Sequence, residues 1–232
     1  MAKSTSGIFY AVLSSLFLST GFVLAKHFLQ YTNPETLNVL FFAIAFLVSF
    51  AFLLAKNFSA TVKAFRENWK DGLVIGGANA IAAGLWFNSI NIMGPSPTAF
   101  IIRFSTIFII IMGILFLKEK LHLQDIVGMA IAVIGALLIS FGNGNYVQAG
   151  TFLALAASLA IAVHQVLSKV YVKSIDPLML VSLRTFYTTL FLLLYAVVFS
   201  KLQAFPVNQL PLLAAGTTIN AVVGLVFFYK AL

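Results

Sequence analysis

Eight apolar stretches, each about the length that a bilayer demands, follow one another along the chain. They are Gly7–Ala25, Thr36–Ala55, Gly72–Ile92, Thr98–Leu117, Ile126–Gly142, Gly150–Ser168, Leu178–Ser200 and Leu210–Tyr229. A spanning helix needs about 20 mostly apolar residues, whereas a spanning strand needs only about 10. In lipid every backbone N–H and C=O must be satisfied internally, so runs of this length read as helices. The expected fold class is an all-α integral membrane protein, a polytopic helical bundle. Composition agrees: 61% of the 232 residues are hydrophobic and 9% are charged, against about 45–50% and about 25% in a soluble domain. The short links leave no room for a soluble domain. Cysteine is absent, which excludes disulfides, thiolate metal sites and cysteine nucleophiles.

Turn chemistry supports the same boundaries. All six prolines (Pro34, Pro95, Pro97, Pro177, Pro206 and Pro211) stand at or beside an expected helix start, where the missing N–H is not needed. The first stretch follows Lys3 as a signal peptide would. It is long, however, and no clear A-x-A cleavage site follows it, so it reads as a retained helix.

The net charge of +8 suggests either a nucleic-acid partner or loop sorting across a bilayer. Its distribution decides. With the N-terminus inside, the inner segments carry Lys3, Lys56, Lys63, Arg66, Lys70, Lys118, Lys120, Lys169, Lys173 and Lys230. The outer ones carry only Lys26 and Lys201. Ten against two is a positive-inside bias. The expectation is an N-terminus in the cytoplasm, a plasma (inner) membrane location and no nucleic-acid partner.

The chain also resembles itself at a shift of 143 residues. "GIFYAVLSSLFLSTGFVLAK" from Gly7 aligns with "GTFLALAASLAIAVHQVLSK" from Gly150. Gly7/Gly150, Ser15/Ser158, Lys26/Lys169 and, just beyond, Pro34/Pro177 match in one register. "GLWF" from Gly84 matches "GLVF" from Gly224 at a shift of 140. Five spans per unit is an odd number, so the second unit enters the membrane from the opposite side. Inverted-topology repeats of this kind typify secondary transporters, with the site near the midplane between the halves. The expected division is 1–146 for a first five-helix repeat and 147–232 for a second, incomplete one of three helices. About eight spans of an expected ten are present.

The stretch "FLKEKLHLQDIVGMAIAVIGALLIS", with Glu119, Leu121, Gly128 and Gly135, resembles the end of an EamA-type half in the drug/metabolite transporter superfamily. "VFFYKAL" resembles the close of that family's third helix in a half. The resemblance implies a two-half carrier, an exporter of small metabolites, amino acids or drug-like compounds, working by alternating access. The missing last two helices leave an alternative, a truncated non-transporting fragment or a membrane scaffold.

Polar groups inside spans are the candidates for function, because a charge at mid-membrane costs about 2.5–3.5 kcal/mol on insertion scales. Arg103 and Arg184 each lie one to two turns into a span. Arg184 heads a polar face with Tyr187 and Thr188 at i+3 and i+4, suited to a carboxylate or another anionic group. For both arginines, snorkelling to an interface is the competing reading. His164 and Gln165 lie in the body of span six. The histidine reads either as a titrating group or as an interhelical hydrogen-bonding one. Asn79 and Trp86, seven residues apart, share a face suited to an organic solute, although Trp86 also suits an interfacial anchor. Asn220 is a weaker candidate. Gly72, Gly76, Gly77 and Gly84 read as a helix-packing stripe.

No Asp or Glu lies inside any span, and no G-x-S-x-G, H-E-x-x-H or P-loop occurs. The expectation is no enzyme, no cofactor and no metal. The partners are a small-molecule substrate and the lipid bilayer, with a homo-oligomer left open.

Overall fold

A computed structural model of the protein describes residues 2–118, 126–128, 130–131, 134, 149–172 and 174–231. Most of the expected fifth span, Ile126–Gly142, falls outside them, as do Glu119, Leu121 and Gly135. The described residues form helices joined by short links. These are α1 (Ala2–Phe28), α2 (Pro34–Lys56), α3 (Phe58–Glu67), α4 (Trp69–Met93), α5 (Pro95–Ile102) and α6 (Phe104–Leu117). After them come α7 (Ala149–Tyr171), α8 (Pro177–Val198), a 3₁₀ turn (Val207–Gln209), α9 (Leu210–Thr217), a π-helical segment (Thr218–Gly224) and α10 (Leu225–Ala231). Seven of the resulting helical units are long and apolar enough to cross a membrane. The protein is an all-helical, polytopic integral membrane protein.

The helix starts follow from the sequence. Pro34 opens α2 behind Asn33, whose side-chain oxygen accepts from the Thr36 N–H at 2.9 Å. Pro177 opens α8 behind Asp176, which accepts from the N–H groups of Leu178 and Met179. The two caps stand 143 residues apart, in the register of the internal match. Each satisfies donors that a helix start leaves orphaned.

Three features depart from uniform spans. The link after α2 contains α3, an amphipathic helix that packs Phe65 against Phe46, Phe50 and Phe186. Span four is broken at Arg103, where tight i→i+3 bonds join α5 to α6. Ser158 Oγ of α7 lies 3.0 Å from the carbonyl of Ile101, beside that break, and 2.7 Å from the Ala154 carbonyl of its own helix, with one proton for the two acceptors. The last span carries the π-helical segment, and π segments inside α-helices concentrate at functional sites.

Helix direction can be read from the contacts. Gly7 of α1 lies by the end of α10, at Ala231. Gly150 of α7 instead lies by the end of α4, against Met93, and its carbonyl accepts from Ser89 Oγ. Asn33, at the start of α2, meets Lys201 and Gln203 just past α8. Hence α1 and α7 run in opposite directions through the bundle. The starts of α1, α4 and α8 share one end with Lys56, Lys63, Arg66, Lys70 and Lys230, while Lys26 and Lys201 stand at the other.

The packing is reciprocal. α4 packs on α7 and α8, the last span packs on α1 and α2, and α2 packs on α8. Exchanging α1 for α7, α2 for α8 and α4 for the last span returns the same list. Lipid gives helices no hydrophobic reason to associate, so close backbone approach matters. An added Cβ at Gly76 would overlap the Tyr187 Cβ, and one at Gly72 would stand 2.8 Å from its ring. This pair seats α8 on α4, as the packing reading of the glycines expects. A Cβ added at Gly77 would stand 3.3 Å from the Phe191 ring, but one at Gly84 would meet open space, so Gly84 takes no part in the contact.

Candidate functional site

A cavity of about 190 Å³ lies at mid-depth, where α1, α2, α4, α7, α8 and the last span converge. Its polar wall is formed by Asn79, His164, Gln165, Arg184 and Asn220. Phe22, Phe41, Phe42, Trp86 and Phe228 form much of its apolar wall. Trp86 is fixed edge-on between Phe22 of α1 and Phe87 of α4, with ring centroids 5.2 and 4.6 Å away. It faces the interior of the bundle, so the interfacial-anchor reading does not hold.

Three of these polar groups, Asn79, Asn220 and Arg184, are placed by specific contacts. Asn79 donates from Nδ2 to Thr188 Oγ1 at 3.0 Å, and Thr188 donates on to the Gly76 carbonyl at 3.1 Å. Asn220 sits in the π segment and donates from Nδ2 to the carbonyls of Phe17 and Leu18 in α1. Gly21 makes room for it, since a Cβ there would stand 2.8 Å from that nitrogen.

Arg184 is only 6% exposed. It lies in the third turn of α8, about 10 Å along the axis at 1.5 Å per residue. Its Nη1 donates to the Tyr229 hydroxyl at 3.0 Å. Tyr229 is 3.4 Å from Ser168 Oγ, and Ser168 donates to the His164 carbonyl at 2.7 Å. Ser168 has one proton and spends it on that carbonyl, so the Tyr229 proton points to Ser168. The chain of contacts ties α8 to α10 and α10 to α7. Among the described residues no carboxylate lies within ion-pair distance of Arg184. Arg184 Nε and His164 Nδ1 are buried without a hydrogen-bond partner.

The magnitudes show that the guanidinium is only partly compensated. A hydrogen bond to a charged group contributes about 1.5–3 kcal/mol. Burying an unpaired ion costs several kcal/mol after relaxation. One tyrosine therefore holds the arginine in place without neutralising it.

Five of the seven residues singled out from sequence, Asn79, Trp86, His164, Gln165 and Arg184, meet at this cavity, and the weaker candidate Asn220 joins them. Snorkelling does not describe Arg184, which is interior. Two residues are corrected. Arg103 is exposed at the α5–α6 break and does not line the cavity, although its neighbour Ile102 does. Tyr187 is buried against Gly72 and Gly76, so it packs α8 onto α4 and does not line the cavity. Tyr229 and Ser168 are absent from the sequence reading. One signal for Tyr229 existed: helices alternate in direction, so the end of the last span and the start of span seven share one depth.

No curated protein matches the chain. A solved crystal structure, described only as that of a protein, superposes with a TM-score of 0.70. The match covers 99% of this chain and 78% of the other at 17% identity, and it speaks for the fold alone. The model of the EamA-like transporter family matches residues 5–141, more than half of the sequence. The chain belongs to the EamA-like transporter family.

Proposed function

We propose that the protein is a secondary carrier, an exporter of a small metabolite, that works by alternating access around the mid-depth cavity. One observation carries this reading. Helices from both sides of the internal match, α1, α2 and α4 on one and α7, α8 and the last span on the other, enclose one cavity with polar groups converging in it. Opposed directions of α1 and α7 support an inverted pair of units, 1–146 and 147–232, that rock about this point. The cluster of basic residues at the α1 start supports an N-terminus in the cytoplasm and a plasma membrane location. The cavity volume is below the range of about 300–1,000 Å³ usual for drug-sized ligands, which favours a compact metabolite.

The test is flux in sealed vesicles carrying the purified full chain. Labelled small metabolites, loaded on one side, are expected to cross faster than in empty vesicles, and Arg184→Ala abolishes the difference. Equal rates with and without the protein for every solute contradict the reading.

A second reading, that the chain acts only when assembled with further helices, is favoured by one contrast. Both serines reach the carbonyl four residues back in their own helix, but Ser158 of α7 is also fully buried against Ile101 of α5, whereas its counterpart Ser15 of α1 is exposed. Flux that appears only above a threshold of protein per vesicle supports that reading.

A further inference from the structure

We infer that the ligand of the cavity is a small organic monoanion, a carboxylate on a compact apolar body that carries no ammonium group. The inference rests on the reading of the cavity as the substrate site, and it names the chemistry that the site selects.

The charge balance is the first part of the argument. Arg184 is a cation in the wall, and among the described residues no Asp or Glu lines the cavity. The other polar lining groups are amides and an imidazole. The guanidinium is therefore a buried charge whose partner in the described chain is a neutral phenol. A ligand that brings one negative charge completes it. A ligand that brings a positive charge meets Arg184 and finds no carboxylate to receive it.

The second part is geometric. Tyr229 occupies Nη1, and Nε has no partner. A guanidinium presents paired donors along its edges, and the edge formed by Nε and Nη2 matches the two oxygens of a carboxylate. His164 Nδ1, also without a partner and in the wall of the same cavity, adds a donor in one tautomer. The unpaired donors thus cluster at the arginine end.

The third part concerns the rest of the ligand. The rest of the wall is largely aromatic and aliphatic, with Phe22, Phe41, Phe42, Trp86 and Phe228, and its amides Asn79, Gln165 and Asn220 are neutral. A volume of about 190 Å³ admits one ring or a short branched chain. A second negative charge on the ligand would face these rings. The recognised unit is an acid head at Arg184 and an apolar body among the aromatics.

The test is equilibrium binding to the full chain in lipid nanodiscs, with two bodies and matched head groups. Phenylacetate and isovalerate are the acids. Phenylacetamide and isovaleramide are neutral isosteres, phenethylamine is the cation and phenylalanine the zwitterion. At least one acid is expected to bind about tenfold or more tighter than its amide, the loss of a charge-assisted hydrogen bond, with the amine and the zwitterion weaker still. Arg184→Gln is expected to bring the acid-to-amide ratio near one, and Arg184→Lys to retain a preference. The wild-type ratio stands even if both variants misfold. Amide binding equal to acid binding, tighter binding of phenylalanine or phenethylamine, an acid preference that persists in a folded Arg184→Gln protein, or no binding by any member overturns the inference. Failure of the carrier reading looks different: the acid preference remains while no solute crosses the vesicle.

Discussion

The membrane-embedded part of the chain holds two arginines at similar depths, and the fold treats them in opposite ways. Arg184 is 6% exposed, tied to Tyr229 and set in the wall of the central cavity. Arg103 lies exposed at the break between α5 and α6. Depth alone therefore does not decide whether a charge faces the cavity. What distinguishes Arg184 is a second helix that supplies a partner for one guanidinium nitrogen while another is left bare. Arg103 instead stands exposed at the break, and the nearby Ile101 packs against the buried Ser158 of α7.

This contrast can be broken by substitution. Arg184→Gln is expected to lower flux by about 10–100-fold, the value of a charge-assisted hydrogen bond to ligand. Vesicle flux with matched protein insertion measures it. Tyr229→Phe leaves the guanidinium without its partner, and flux is expected to fall about tenfold. A smaller loss than for Arg184→Gln shows that the tyrosine positions the arginine. Trp86→Ala removes the ring held between Phe22 and Phe87, and affinity is expected to weaken about fivefold to tenfold at an aromatic contact of this kind. Arg103→Gln is expected to change flux by no more than about twofold, the scale of an exposed substitution. A loss at Arg103 as large as that at Arg184 removes the distinction.

A further prediction concerns stability. Gly76→Ala forces a Cβ onto Tyr187 and the Thr188 backbone, and overpacking of this kind costs about 1–3 kcal/mol. Thermal unfolding in detergent is expected to shift down, whereas Gly84→Ala, which meets open space, is expected to leave it unchanged.

The spans were legible because hydropathy and proline placement are local signals. Pro34 and Pro177 start helices whatever those helices pack against. Five cavity-lining residues were legible for a related reason: Asn79, Trp86, His164, Gln165 and Arg184 interrupt apolar helices, and polar groups avoid lipid. Rotation about a helix axis was harder to read. Tyr187 stands three residues after Arg184, about 60° away around the helix at 3.6 residues per turn, and that offset turns it onto Gly72 and Gly76. Arg103 sits in "FIIRFSTIFIII", apolar on all sides, so no moment sets its direction. Tyr229 is hidden in "FFYK", where one hydroxyl among aromatics gives no sign of its role. The α3 helix was hidden because its charges read as a link. Its apolar side becomes meaningful only once Phe46 and Phe186 are seen to meet Phe65.

The central claim is that the cavity opens to each face of the membrane in turn. The chain has no cysteine, so a single one placed at Ala83, a buried residue of the cavity wall, reports access without background. A membrane-impermeant thiol reagent applied to oriented vesicles is predicted to modify Ala83→Cys from either face, with protection by a transported solute. Modification from neither face, or from one face alone whatever the solute or gradient, contradicts the account.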